Sequence, residues 1–142
     1  MSVKAKLEDI QTLSENKFTS KTIVFTRQKK DGSWERQQRQ IFDHGNAVTA
    51  FLYNKEKRTI LLVKQFRVVL FLDNDPDALL LETCAGLSDG EAPEQAMIRE
   101  IEEETGYHIT NLKEVYVAYS SAGSLTEKLY YYVGEYNESQ KR

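Results

Sequence analysis

Hydrophobic and polar positions alternate with the two-residue period of β-strands in the first third of the chain. Residues Phe18–Arg27 read FTSKTIVFTR, which alternates and is rich in β-branched and aromatic side chains, and Trp34–Asp43 read WERQQRQIFD, the returning strand, whose centre is polar. The Asp31-Gly32 pair between them is a turn signal, so we predict an antiparallel hairpin. Residues 1–16 are polar, and we expect them to be partly helical or frayed.

Further strands are predicted in the rest of the chain. Ala47–Tyr53 and Thr59–Phe66 read as two strands joined by a charged turn. The second strand is mostly apolar, which favours a central place in its sheet. The other predicted elements are a loop at Leu72–Asp77 and strands at Leu79–Thr83, Glu114–Tyr119 and Leu129–Tyr136.

One segment, residues 85–107, has the pattern of a small-residue loop that runs into a helix. Pro93 suits the first helical turn, where its missing N–H costs no hydrogen bond, and Gly106 suits a left-handed C-cap. A hairpin followed by strands around one strong helix predicts an α+β fold. The expected apolar face of the helix comprises Ala96, Ile98 and Ile101, with Met97 at its edge.

The predicted helix carries a dense group of carboxylates. Glu100, Glu103 and Glu104 stand three and four residues apart and therefore share one helix face. Like charges at this spacing are mildly destabilising unless a cation lies among them, and Mg²⁺ prefers carboxylate and carbonyl oxygens. Spacing alone leaves two interpretations open: a metal site, or a solvated acidic face on which Arg99 pairs with Glu103.

Composition and charge narrow the class of protein. The 142 residues suffice for one domain with a core, and a net charge of −3 without a basic tract argues against binding to nucleic acid or to acidic membranes. The sequence contains no run of membrane-spanning length and no signal-peptide pattern at its start. The single cysteine, Cys84, excludes an intrachain disulfide and favours the cytoplasm. We expect its thiol to be a small buried side chain rather than a nucleophile.

The helix and the loop before it resemble the signature motif of the Nudix hydrolases. In that motif a glutamate is followed, after seven residues, by Arg-Glu-aliphatic-x-Glu-Glu-x-Gly-aliphatic. Here Glu91 is followed at the same distance by REIEEETGY, which ends at Tyr107. Four residues rather than five separate Gly86 from Glu91, so Ala85 stands in the glycine register and the loop is one residue short. The resemblance implies an α/β/α sandwich with a mixed β-sheet, an N-terminal antiparallel hairpin and hydrolysis of a substituted nucleoside diphosphate.

Other segments extend the resemblance over nearly the whole chain to the GDP-mannose pyrophosphatase branch of the family. The activity implied is hydrolysis of GDP-mannose to GMP and mannose 1-phosphate. ADP-ribose is the alternative substrate, and a non-catalytic nucleotide-binding module is the alternative from another functional class. The segments that carry this resemblance are Phe18-Thr19, 43–46 (DHGN), 64–68 (KQFRV), 82–87 (ETCAGL) and 123–127 (GSLTE).

The resemblance also implies roles for individual residues. Glu100, Glu103 and Glu104 would be the catalytic carboxylates. Mg²⁺, or Mn²⁺ in its place, would be held by Ala85, Glu100 and Glu104, with Ala85 contributing its carbonyl oxygen. The residues expected to keep the motif in shape are Glu91, Arg99 and Gly106. The expected substrate contacts are Lys17, Gln38, Arg39, Gln40, Arg67, Ala85, Gly86, Leu87, Glu104 and Glu127.

Two domains and two partners are expected on the same grounds. Residues 1–45 would form a hairpin subdomain for dimerisation and nucleotide contact, and residues 46–142 the hydrolase domain. A nucleotide sugar and a second copy of the chain are the expected partners.

Members of the family continue past the position of Arg142 with an acidic loop, which carries a further catalytic glutamate, and with a helix that covers the sheet. Because the sequence stops before both, we expect this form to bind metal and nucleotide weakly and to turn over slowly or not at all.

Overall fold

The structure, a computed structural model, describes residues 3–142 and confirms the α+β class, with strands in several sheets and few helices. Contacts divide the chain into two compact units: the described residues up to Gly45 with Tyr119–Glu127, and Asn46–Ala118 with Lys128–Arg142. The elements in order are β1 (Ala5–Glu15), β2 (Thr19–Gln28), β3 (Trp34–Asp43), β4 (Ala47–Asn54), β5 (Thr59–Leu61), β6 (Val63–Phe66), α1 (Val68–Leu72), β7 (Leu79–Glu82), β8 (Cys84–Leu87), α2 (Pro93–Thr105), β9 (Leu112–Tyr119), β10 (Lys128–Glu135) and a 3₁₀ turn at Glu138–Gln140.

The first unit contains a three-stranded antiparallel sheet in the order β1-β2-β3. β2 and β3 pair in register from Thr19 opposite Asp43 to Gln28 opposite Trp34, which confirms the predicted hairpin. Gly32 has a φ of 85°, a left-handed conformation that glycine adopts at little cost, so the turn residue stands where it was predicted.

β1 corrects the prediction for residues 1–16, because Ala5–Glu15 form a strand rather than a helical or frayed segment, while Met1 and Ser2 lie outside the described residues. The strand pairs antiparallel with β2, and its register shifts between Leu7 and Asp9 and again between Thr12 and Ser14. All of its side chains are exposed. The sequence of β1 therefore shows no alternation, because neither face is selected for apolar residues and two irregularities break the period.

The second unit holds the hydrophobic core. Its main sheet has the order β5-β4-β10-β9, and β8 also pairs with β4. β4 runs parallel to β10 and antiparallel to β5 and β8, so the sheet is mixed as expected. Val48, Ala50 and Leu52 of β4 are fully buried in one cluster with Met97 and Ile101 of α2, and this packing fixes the helix against the sheet.

The segment Thr59–Phe66 is two strands rather than one, and its predicted central place in the sheet was wrong. β5 lies at an edge of the main sheet, while β6 pairs with β7 in a separate two-stranded sheet. Ile60 and Phe66 are 50% and 59% exposed, so the apolar run does not reflect burial on both faces. β4 and β10 occupy the centre instead.

Two short elements were not predicted from the sequence. α1 ends at Leu72, the first residue of the predicted loop, and its single turn is too short to show a helical period. The small residues Cys84–Leu87 form β8 instead of a loop, because their backbone completes the ladder with β4. Glycine and alanine carry little strand propensity of their own, so tertiary pairing decides this segment.

α2 begins at Pro93 and ends before Gly106, whose φ of 73° confirms the predicted left-handed C-cap. Its buried residues are Ala96, Met97 and Ile101, whereas Ile98 is half-buried. Ile98 was predicted on the apolar face and Met97 at its edge. The structure reverses these two places, since Met97 has no exposed surface. Among residues 3–142 no helix is long and apolar enough to cross a membrane.

Candidate functional site

The backbone of β8 lies against the carboxylate face of α2. The N–H of Ala85 donates to Oε2 of Glu104 at 3.2 Å, which joins the strand to the last turn of the helix. On its other side β8 is paired with β4, where Ala85 stands opposite Thr49. The backbone beside the carboxylates is therefore fixed by the sheet on one side and by the helix on the other.

Glu100 occupies a niche that exists because residue 86 is glycine. A Cβ atom built at Gly86 would lie 2.0 Å from Cδ of Glu100 and 2.1 Å from its Oε1, far inside any allowed contact. The side chain of Glu100 is only 14% exposed. Gly86 therefore lets a charged carboxylate approach the strand backbone directly.

Arg99 gathers the acidic residues of the motif around one guanidinium. Its Nε donates to Oε1 of Glu91 at 3.1 Å, and its Nη1 donates to Glu100 at 2.8 Å and to Glu103 at 3.2 Å. Its Nη2 donates to the carbonyl oxygen of Leu87 at 3.3 Å. Pairing with Glu100, and then with Glu91, raises the pKa of Arg99 above its usual range. The ion pair between Arg99 and Glu103 that the sequence spacing suggested is thus one part of a larger hydrogen-bond network.

The negative charge of Glu100 is destabilised at this position, and pairing with Arg99 does not fully offset the effect. Burial raises the pKa of Glu100, and the charges of Glu103 and Glu104 raise it further, against the opposing effect of Arg99. A raised carboxyl pKa means that the ionised form is destabilised where it stands. A cation beside this face would reverse the balance.

Glu104 has a second partner, Gln65, which is not among the site residues predicted from the sequence. Gln65 Nε2 donates to Oε1 of Glu104, so both oxygens of this carboxylate accept a hydrogen bond. Gln65 stands two residues after the buried Val63 in β6 and is itself half-buried. The available signal was a polar residue on the inward face of a strand, since residues i and i+2 share a face.

The residues around Glu100 and Glu104 offer oxygen ligands of the kind needed by the divalent cation that the motif implies. Among the described residues 3–142, no three His, Cys, Asp or Glu side chains form a metal-holding group by themselves. Two carboxylates, those of Glu100 and Glu104, instead face one stretch of strand backbone at Ala85 and Gly86. Hard oxygen atoms, partial burial and negative charge that Arg99 only partly compensates suit Mg²⁺ or Mn²⁺, so these residues fit the ion. The assignment of individual metal ligands stays a prediction.

Cys84 lies beside this site but is not equipped as a nucleophile. Its side chain is 1% exposed, which confirms the predicted buried small residue. Burial, together with a hydrogen bond to Glu104 and the charges of both nearby glutamates, raises the pKa of the Cys84 thiol far above its usual value. The neutral thiol therefore dominates at physiological pH, and it is the thiolate that reacts.

Arg67 immediately precedes α1 and pairs with a carboxylate of the neighbouring strand. Its Nε donates to Oε1 of Glu82 at 2.7 Å, and its Nη2 lies 2.5 Å from the same oxygen. The Arg67 side chain remains 41% exposed. Two of its N–H groups are engaged by Glu82, and a guanidinium has five.

The other predicted substrate contacts belong to the first unit. Nε2 of His44 lies 3.5 Å from Oε2 of Glu127, and Thr126 Oγ1 donates to Asp43 Oδ1 at 2.9 Å. These contacts tie the loop before β10 to the end of β3. The remaining positions are Lys17, in the β1–β2 turn with its ammonium 5.5 Å from the Phe18 ring, and Gln38, Arg39 and Gln40, which all lie in β3. Their contacts with a nucleotide stay predictions.

Profiles of known protein families match both parts of the chain. The NUDIX domain profile matches residues 43–141, and the profile of the GDP-mannose pyrophosphatase NudK N-terminal domain matches residues 4–42. The first match contains β4, β8 and the whole of α2, which are the elements that build the site.

Individual proteins are similar over almost the same length. GDP-mannose pyrophosphatase of Enterobacter sp. (strain 638) is 38% identical over 99% of this chain and 74% of its own length. The protein of the same name from Salmonella paratyphi B is 39% identical over 91% of this chain and 68% of its own. A solved structure described as an ADP compounds hydrolase superposes with a TM-score of 0.69 over 98% of this chain and 72% of that chain, at 19% identity, which is a likeness of fold alone.

Proposed function

The chain belongs to the Nudix hydrolase family, and we propose that it is a Mg²⁺-dependent hydrolase that splits GDP-mannose into GMP and mannose 1-phosphate. The observation that carries this proposal is the pair of carboxylates, Glu100 and Glu104, held against the backbone of Ala85 and Gly86 on the family's motif helix. The similarity to GDP-mannose pyrophosphatases over 99% of the chain supports the choice of substrate.

The residues of this chain supply the binding site for the ion. When bound, Mg²⁺ neutralises pyrophosphate charge and activates water. Glu100 and Glu104 contribute carboxylate oxygens. The carbonyl of Ala85 is the third donor, since a residue of an antiparallel strand directs its C=O to the same side as its N–H, and that N–H faces Glu104. Arg99 holds Glu100 in place through a hydrogen bond of 2.8 Å to its Oε1.

Substrate contacts complete the proposal. Arg67 retains free guanidinium donors beside Glu82 and suits a bidentate grip on a phosphate. Gly86 and Leu87 offer backbone next to the carboxylates, and Glu103 adds negative charge close to the same helix face. The contacts proposed for the nucleotide and sugar are Lys17, Gln38, Arg39, Gln40 and Glu127.

We propose a homodimer that associates through the first unit, in the cytoplasm. Every side chain of β1 is exposed, among them the apolar Leu7, Ile10 and Leu13. An edge strand with exposed apolar residues is a template for association with another chain. The free thiol of Cys84 suits a reducing compartment. Sedimentation equilibrium at micromolar concentration should give twice the monomer mass, and a monomer would contradict this part of the proposal.

A panel of nucleotide sugars tests the activity itself. Purified protein is incubated in Mg²⁺ with GDP-mannose, ADP-ribose and further diphosphate sugars, and products are separated by ion-exchange chromatography. We expect GMP from GDP-mannose at the highest kcat/KM of the panel. A higher value for ADP-ribose would favour the alternative substrate, and metal and nucleotide binding without any turnover would favour the non-catalytic module.

A further inference from the structure

We propose that Gln65 is a positioning residue that sets the orientation of Glu104 for the metal ion, an inference that rests on the proposed function. The side-chain amide of Gln65 donates to Oε1 of Glu104, while the backbone N–H of Ala85 donates to Oε2 at 3.2 Å. Two donors on the two oxygens fix both the rotation of the carboxylate plane and the position of its carbon atom.

The strand pairing of β6 supports this contact. β6 pairs antiparallel with β7, and Gln65 stands opposite Leu80 in that ladder. Along the strand, Val63 is buried, Lys64 is exposed, Gln65 is half-buried and Phe66 is exposed, so Gln65 shares the inward face with Val63. An amide held by a strand can orient its partner more strictly than one on a free loop.

Hydrogen bonding leaves Glu104 enough capacity for a metal ion. A carboxylate has about four lone-pair sites on its two oxygens. Gln65, Ala85 and the Cys84 thiol occupy three of these sites, and one remains for the ion. A neutral donor is suited to this position, because a lysine would bring a competing positive charge and a glutamate would repel Glu104.

An open cavity beside the contact explains why a restraint is needed. The cavity has a volume of about 370 Å³, and Glu104 lies in its wall together with Gln65 and Thr105. A glutamate without the amide partner would have room to turn toward this space. The hydrogen bond from Gln65 prevents this rotation and keeps the carboxylate of Glu104 against Ala85.

The test compares Gln65→Met with Gln95→Met, which makes the same change elsewhere. Gln95 is exposed and stands nine residues before Glu104 in α2, which places it half a turn around the helix. Mn²⁺ binding is measured by electron paramagnetic resonance, and the melting temperature is measured without metal. We expect Gln65→Met to weaken Mn²⁺ binding by about 10–100-fold, the usual effect of losing a group that orients a metal ligand, with Gln95→Met unchanged.

The readouts separate a positioning role from a merely structural one. Gln65→Met should melt near the wild-type temperature without metal and gain less stability from Mn²⁺ than the wild type does. If Gln65→Met does not fold, Gln65→Asn keeps a buried amide one methylene short of Glu104, and its Mn²⁺ binding should be weakened as well. Wild-type Mn²⁺ affinity in the folded variant would overturn the proposal.

Failure of this inference is distinguishable from failure of the proposed function. A wild-type protein that binds Mn²⁺ and loses that binding in Gln65→Met, but leaves GDP-mannose intact, would support the role of Gln65 and contradict the activity. Equal Mn²⁺ binding in both proteins, with normal GDP-mannose turnover, would contradict the role of Gln65 alone. A wild-type protein that binds no Mn²⁺ would overturn both.

Discussion

The carboxylate of Glu100 fills the space that a side chain at residue 86 would need, with Cδ only 2.0 Å from the Cβ position of Gly86. Glycine is required here for space, since its φ is not in the left-handed region. The relationship joins a strand residue to a helix residue fourteen positions later. It places a charged oxygen directly on the backbone where the metal ion is proposed to bind.

Gly86→Ala should separate stability from metal binding. The added methyl group meets the end of a flexible side chain, so Glu100 can swing away and the free energy of unfolding should change little. Displacing a proposed ligand should weaken Mn²⁺ binding and turnover by at least about 10–100-fold. Isothermal titration calorimetry with Mn²⁺ measures the effect.

Gly123→Ala is the matched control for that variant. A Cβ atom at Gly123 meets nothing within 4 Å, so this variant should bind Mn²⁺ as the wild type does. Unchanged Mn²⁺ binding in folded Gly86→Ala would show that Glu100 does not need its niche to bind the ion.

Glu100→Gln should abolish turnover without destabilising the metal-free protein. The pKa of Glu100 is raised by burial, so the folded state favours the protonated form and the ionised carboxylate costs folding free energy at neutral pH. Removing the charge should therefore leave the melting temperature at pH 7.5 equal to or above the wild-type value. Differential scanning calorimetry without metal tests this, with the exposed Glu94→Gln as control. A clear drop in melting temperature for Glu100→Gln would contradict the predicted sign.

Arg99→Met should destabilise the protein, and Mg²⁺ should recover part of the loss. The change removes the partner of Glu91, Glu100 and Glu103 together, and charged hydrogen bonds of this kind contribute about 1–3 kcal/mol. Mg²⁺ should replace some of the missing positive charge. Urea unfolding with and without Mg²⁺ measures both effects.

Arg36→Met serves as the control for Arg99→Met. Arg36 pairs with Glu8 at 2.8 Å on an exposed surface, where ion pairs contribute about 0–1 kcal/mol. Its effect should be small and independent of Mg²⁺. Equal losses in the two variants would contradict the organising role assigned to Arg99.

The contact between Asp43 and Thr126 should make stability depend on pH. The hydrogen bond from Thr126 and then the N–H of Gly45 lower the pKa of Asp43 below its usual 3.8. A lowered folded-state pKa stabilises the protein above the unfolded value, and the contribution disappears as pH falls through the folded value. Wild type should therefore exceed Asp43→Asn in urea midpoint at pH 6, and the difference should shrink below pH 3.8. A difference that stays constant across this range would contradict the assignment.

Elements with a strong local signal were predicted from the sequence, and those decided by distant pairing were not. The hairpin and the ends of α2 follow from the turn at Gly32, Pro93 and the C-cap at Gly106. β1 escaped prediction because its side chains are all exposed and its register shifts twice. The prediction of one central strand at Thr59–Phe66 was wrong because an apolar run does not reveal which sheet its halves join.

The same distinction applies to the candidate site. Glu100 and Glu104 were predicted because helical spacing places them on one face, and the motif added Arg99 and Gly86. Gln65 was missed because its contact with Glu104 spans 39 residues of sequence and depends on how β6 lies beside α2. Local patterns locate a carboxylate, but only the packing of separate elements shows what orients it.

The most direct test of the account is the Mg²⁺-dependent hydrolysis of GDP-mannose by the wild type and by Glu104→Gln, with products identified by mass spectrometry. We predict equal amounts of GMP and mannose 1-phosphate from the wild type, no products without Mg²⁺, and a rate at least about 10²-fold lower in a folded Glu104→Gln protein. An unchanged rate in Glu104→Gln, or hydrolysis that does not require a divalent cation, would contradict the proposed metal centre.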